Sequence, residues 1–154
     1  MKKNFLFAGV FGLLIMTLSC AGGREMAIET PPPFEVAVAY SQPWAAGTQL
    51  GGRGTILTIL LAQPEPGIEL VMVYFNERWQ DLTTTLGQPE RYKAAYTETE
   101  IYTTAIEVPN MEQFSLSPSQ AMVYYLKNKR PNLALVSDIE LRPLLAYPSN
   151  NPND

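Results

Sequence analysis

Few side chains in this 154-residue chain carry chemistry, and their types narrow what it can be. The chain has no histidine, which removes the commonest general base, the commonest transition-metal ligand and the usual partner of a nucleophilic serine. Neither a Ser-x-x-Lys pair nor a Gly-x-Ser-x-Gly elbow occurs, so an activated hydroxyl lacks its usual neighbours. Glu98 with Glu100, and Glu77 with Asp81, are the nearest carboxylate pairs to the acid and base of a glycosidase. Residues two apart on a strand do share a face, but acids there ordinarily keep a sheet edge soluble. The same groups are too sparse for a calcium loop. Gly51, Gly52 and Gly54 invite comparison with a phosphate loop, yet the Lys-Ser/Thr that should follow is missing and a strand comes next. Their expected role is to permit positive φ in a tight loop or bulge. An enzyme is not expected, and neither is a cofactor or a metal.

Aromatic rings are the remaining candidates for binding. Tyr40, Trp44, Trp79, Tyr92, Tyr96, Tyr102, Tyr124 and Tyr125 are many for a small domain, and most of them are expected in the core. Exposed rings stack on the apolar faces of sugars while their polar tips bond hydroxyls. Trp44 lies in a Pro/Gly-rich stretch, and Trp79 follows the polar triplet Asn76, Glu77 and Arg78. These two are the candidate ligand-binding residues, for a glycan or a peptide.

Cys20 is the only cysteine, so no intramolecular disulfide can form and a lone thiol in an exported chain needs an explanation. Ahead of it come Lys2 and Lys3, an apolar run from Phe5 to Met16, and then Thr17, Leu18 and Ser19. Basic, apolar, small is the order of a secretory signal, and the run is short of the roughly 20 residues a membrane-spanning helix needs. The segment resembles the bacterial lipoprotein signal family in Ser19 and Cys20, although Thr17 stands where that family usually has a large aliphatic. The resemblance implies a signal helix cut before Cys20 and lipid on that cysteine, whose acyl chains are each worth about 0.8 kcal/mol per buried methylene. The alternative is an ordinary signal peptide, which leaves Cys20 a stray thiol. In the lipoprotein family an Asp after the cysteine retains the protein in the inner membrane. Ala21 therefore points to the outer membrane, while Arg24 and Glu25 form no recognisable export signal, so the facing side is left open.

Removing residues 1–19 leaves enough chain for one domain with its own core. Loss of Lys2 and Lys3 also takes the formal charge from −4 to −6. The one basic cluster, Lys127, Lys129 and Arg130, stops at Pro131. It reads as a solvated turn between strands, and nucleic acid is not an expected partner.

Val, Ile, Thr and Tyr dominate the mature region in short runs broken by Pro, Gly and Asn, which is the pattern of strands. Phe34 to Tyr40 alternates, placing Phe34, Val36, Val38 and Tyr40 on one face. A turn-rich stretch from Ser41 to Gly54 leads to a strand over Thr55 to Ala62. Ile68 to Phe75 is a near-continuous apolar run that fits a strand at the sandwich centre, expected to form a hairpin with the strand before it. Further strands are expected over Trp79 to Thr84, Arg91 to Glu98, Ile101 to Val108, Met122 to Leu126 and Leu133 to Leu141. In the last, Leu133, Leu135, Ser137, Ile139 and Leu141 share a face, and Ser117, Pro118 and Ser119 are expected to cap one helical turn. Seven or eight short strands in one domain predict an all-β, antiparallel, immunoglobulin-like sandwich, with a small β-barrel as the competitor. The expected organisation is a signal peptide at 1–19, a lipidated flexible stalk at 20–33, the sandwich at 34–146 and a disordered tail at 147–154.

Gly51, Gly52, Gly54, Tyr74 and Phe75 give residues 34–84 a loose resemblance to small uncharacterised bacterial lipoproteins, a family without an established activity. The combined expectation is a lipid-anchored envelope sandwich with a non-enzymatic structural or interaction role, its partner another envelope protein. A glycan- or peptide-binding lipoprotein is the alternative.

Overall fold

The computed structural model describes Met26 and residues 28–47, 52–63, 66–98, 108–111 and 114–147. The expectations placed on residues 1–19, Cys20, Gly51, Glu100, Tyr102, the strand over 101–107 and residues 148–154 lie outside the described residues.

Eleven strands, with no helix among the described residues, form two sheets. They are β1 (Ile28–Glu29), β2 (Val36–Ala46), β3 (Arg53–Leu61), β4 (Ile68–Phe75), β5 (Arg78–Asp81), β6 (Thr83–Thr85), β7 (Gln88–Thr97), β8 (Ala121–Lys127), β9 (Arg130–Val136), β10 (Glu140–Leu141) and β11 (Leu145–Tyr147). One sheet runs β1-β9-β8-β4-β5 and the other β10-β2-β3-β7-β6, with β11 also on β2. The sheets pack face to face and do not close into a barrel. Without the short edge strands, β2-β3-β7-β6 and β9-β8-β4-β5 reproduce the A-B-E-D and G-F-C-C′ orders of immunoglobulin-like domains. All pairings within those eight strands are antiparallel. The expectation of a purely antiparallel fold needs one amendment, because β1 on β9 and β10 and β11 on β2 pair in parallel. These short strands cover the β9 and β2 edges, which would otherwise present unpaired backbone groups.

The core between the sheets is built from Leu57, Ile59, Leu61, Tyr92, Ala94 and Tyr96 on one side and Leu70, Val73, Phe75, Val123, Tyr125 and Val136 on the other. A register shift between Leu70 and Met72 puts both Leu70 and Val73 inward, which is why this strand reads as unbroken apolar sequence. The outer face of the same sheet is also buried. Met72, Met122, Tyr124 and Leu133 pack there beneath Met26, Ile28, Val108, Met111, Phe114 and Leu116, so β8 is apolar on both faces.

Several local expectations are corrected. A shift between Val36 and Val38 breaks the alternation from Phe34 to Tyr40: Phe34 is buried, yet Val38 is 40% exposed and Ala39 turns inward. Strand β2 continues through Pro43 to Ala46 where a turn is expected, and Pro43 falls between the residues paired to β10 and those paired to β11. Strands β3 and β4 belong to different sheets and form no hairpin. The strand at Trp79 to Thr84 is split by buried Leu82, where the chain crosses from one sheet to the other. The run from Leu133 to Leu141 breaks after Val136, and Asp138 at φ 60° turns it onto the opposite sheet. Ser117–Gln120 is a turn closed by the Gln120 N–H donating to the Ser117 carbonyl at 2.9 Å, not a helical turn. Ile28–Glu29, within the segment read as stalk, and Tyr147, at the start of the segment read as tail, are strand residues.

Candidate functional site

The β4–β5 hairpin turns through Asn76 (φ 49°) and Glu77 (φ 62°), two left-handed residues as a type I′ turn requires. The turn carries Tyr74 and Trp79 opposite each other, with ring centroids 5.5 Å apart and planes at 60°. Beside it, the segment before β8 folds back so that the Phe114 N–H donates to the Met111 carbonyl at 2.9 Å. Between hairpin and segment lies a groove of about 790 Å³. Tyr74, Met111, Phe114 and Leu116 form its apolar wall, and Asn76, Glu77, Ser115, Ser117 and Gln120 its polar rim. The accessible lining is more polar than apolar, with the apolar side chains on one side and the polar groups facing them.

The two candidate tryptophans are not brought together. Trp79, on β5, is half-buried and backs onto Tyr74 without lining the groove. Trp44 lies on the other sheet and is only 2% exposed, which corrects the expectation of an exposed loop ring. The reason is Gly54, its cross-strand partner. A Cβ there would stand 2.9 Å from the indole Nε1 and collide with the Tyr96 carbonyl oxygen, so the missing side chain leaves room for the indole beside it. Gly52, at φ 73°, supplies the left-handed turn expected of this run, and its carbonyl accepts from the Ala46 N–H at 3.0 Å. These glycines serve the β2–β3 connection.

The carboxylates do not converge. Glu98 is ion-paired with Arg53 at 3.2 Å, both side chains being largely exposed. Glu77 is in the turn and Asp81 four residues on at the far end of β5, about 13 Å away along an extended strand. No group of three metal-ligating side chains occurs among the described residues. Phenols provide the shifted groups of the interior. Burial pushes Tyr96 well above its ordinary value, against the pull of Arg78. Burial likewise raises Tyr125, with the Glu29 carboxylate adding to it, and Tyr92. Such phenols stay protonated at neutral pH and do not serve as bases. The Tyr96 hydroxyl donates to the Val73 carbonyl at 3.1 Å, joining the two sheets.

Tyr74, Met111, Phe114 and Leu116 escape sequence reasoning as site residues. A faint signal exists in Phe114 and Leu116, which alternate with polar residues in a segment without strand boundaries. The chain matches no protein-family model, and neither a curated protein nor a solved structure is significantly similar to it.

Proposed function

We propose that this protein is a lipid-anchored module of the bacterial cell envelope, most consistent with the outer membrane, that works without catalysis by holding another envelope protein in the groove beside the β4–β5 turn. The observation that carries the contact is that groove, with Tyr74, Met111, Phe114 and Leu116 on one wall and amide, hydroxyl and carboxylate groups on its rim. The anchor rests on the signal-like run ending in Ser19 and Cys20. The sandwich gives a rigid frame, and rigid frames lower the ordering cost of association.

A second reading has one specific observation in its favour. Tyr74 lines the groove and is braced edge-on by Trp79, an arrangement suited to stacking a sugar ring or a peptide side chain. The partner would then be a glycan or a peptide, with Tyr74 in the role first assigned to Trp44.

A photo-reactive amino acid at Asn76, on the groove rim, tests both readings in cells expressing the anchored protein, with Lys93 on an exposed strand position as control. A discrete protein adduct from position 76 alone supports the leading reading, and a carbohydrase- or peptidase-sensitive adduct supports the second. Identical patterns from 76 and 93 would remove the groove from both.

A further inference from the structure

The cluster Lys127, Lys129 and Arg130 forms the tip of the β8–β9 hairpin, held by left-handed Asn128 (φ 52°) and Lys129 (φ 65°). All three cations are exposed and none makes an ion pair among the described residues. Strand β1 runs parallel to β9, with Ile28 opposite Leu133 and Glu29 opposite Ala134. Traced backwards, strand β1 therefore heads for the hairpin tip. Five residues separate Met26 from Cys20, and the six steps between them can span at most about 20 Å. The sandwich end carrying the hairpin is thus the end that an anchor at Cys20 draws towards the bilayer. Fully exposed Leu86 sits in the β6–β7 turn at this same end, and Asn128 donates to the Gly67 carbonyl at 2.7 Å, fixing the hairpin to the β3–β4 connection.

We infer that the β8–β9 hairpin tip, through Lys127, Lys129 and Arg130, rests on the anionic headgroups of the membrane that holds the chain. The inference rests on the proposed lipid anchor. The mature chain is acidic, so nothing else in its charge would favour such a surface. Of the described carboxylates at this end, Glu69 lies behind the tip, opposite Leu126, while Glu35 and Glu90 stand on or beside strands of the other sheet; Glu65, in the β3–β4 connection, lies outside the described residues. A charge is felt at a membrane only within a Debye length, about 8 Å at physiological salt, and a tether this short allows that approach. Each basic residue near an anionic surface strengthens partition about fivefold, and the hairpin presents three. Contact would give a module on a lipid leash a fixed orientation, with the groove at the β4–β5 turn at the far end of the sandwich, away from the bilayer.

After loss of the signal, the lysines of the chain are Lys93, Lys127 and Lys129, so amine acylation read by mass spectrometry carries its own control. The lipidated full chain is reconstituted into phosphatidylcholine vesicles, with or without phosphatidylglycerol, and its flotation is recorded first. With the anionic lipid, Lys127 and Lys129 should react at least about fivefold more slowly relative to Lys93. The protection should vanish in phosphatidylcholine alone and in 1 M salt, where the Debye length is about 3 Å. Arg130→Glu should still float while losing most of the protection, leaving both lysines as reporters. Protein that floats with its hairpin lysines as reactive as in lipid-free solution would overturn the inference and spare the anchor. Protein that does not float would overturn both.

Discussion

Tyr96→Phe is a single-atom deletion whose effect should change with pH. The ring stays, 6.0 Å from Phe75 and edge-on to it, but the hydroxyl that donates across the core to Val73 at 3.1 Å is lost. A buried hydrogen bond contributes about 1 kcal/mol net, and the abandoned carbonyl adds a desolvation cost of similar size. The variant should be less stable by about 1–2 kcal/mol at pH 7. For a domain of this size, unfolding entropy of about 2.1 cal/mol/K per residue makes that a fall of roughly 4–8 °C in Tm. In the folded wild type the Tyr96 phenol is raised well above its ordinary value, chiefly by burial. The folded state keeps that proton above pH 10 while the unfolded chain gives it up. The stability this phenol contributes is therefore complete below pH 10 and declines above it, by about 1.4 kcal/mol per pH unit. The variant lacks this loss, so the two urea-unfolding curves should converge near pH 11. A variant as stable as wild type at pH 7, or a margin that stays constant to pH 11, would refute the reasoning.

Other positions discriminate between parts of the structure. Gly54→Val should cost about 1–3 kcal/mol by overpacking against the Trp44 indole and the Tyr96 carbonyl, and should shift tryptophan emission to the red; unchanged emission and Tm would contradict the placement of Trp44. Leu133→Ala, in the outer layer of the β9-β8-β4-β5 sheet, should cost about 2–5 kcal/mol in chemical denaturation, whereas less than about 0.5 kcal/mol would mean that this layer is not a core. Arg53→Ala removes one partner of a largely exposed ion pair and should change Tm by no more than about 4 °C.

Strand existence was readable wherever local pattern and tertiary role agree. Arg53–Leu61, Ile68–Phe75 and Ala121–Lys127 announce themselves by composition, and the breaks at Gly67 and Asn128 by turn chemistry. Reading failed where one residue changes a strand's course. The shift between Val36 and Val38 inverts the faces of β2, and Asp138 diverts the last run to the other sheet; neither leaves a mark in hydrophobic periodicity. Pro43 reads as a breaker because its tolerance depends on β10 and β11, roughly a hundred residues away. Trp44 reads as a loop ring for the same reason: its burial is decided by a bare Gly54 on the neighbouring strand. The groove was illegible because Tyr74 and Phe114 meet only through tertiary packing, while the proposed anchor rests on the local pattern of residues 2–20, which lie outside the described residues.

Intact mass and membrane fractionation of wild type and Cys20→Ala, expressed in a bacterium, test the anchored module most directly. The expected wild type begins at Cys20, carries a lipid-sized mass increment and sediments with membranes, and the variant loses the increment and is released. A wild type without added mass, recovered in the soluble fraction like the variant, would contradict the anchor and the envelope role built on it.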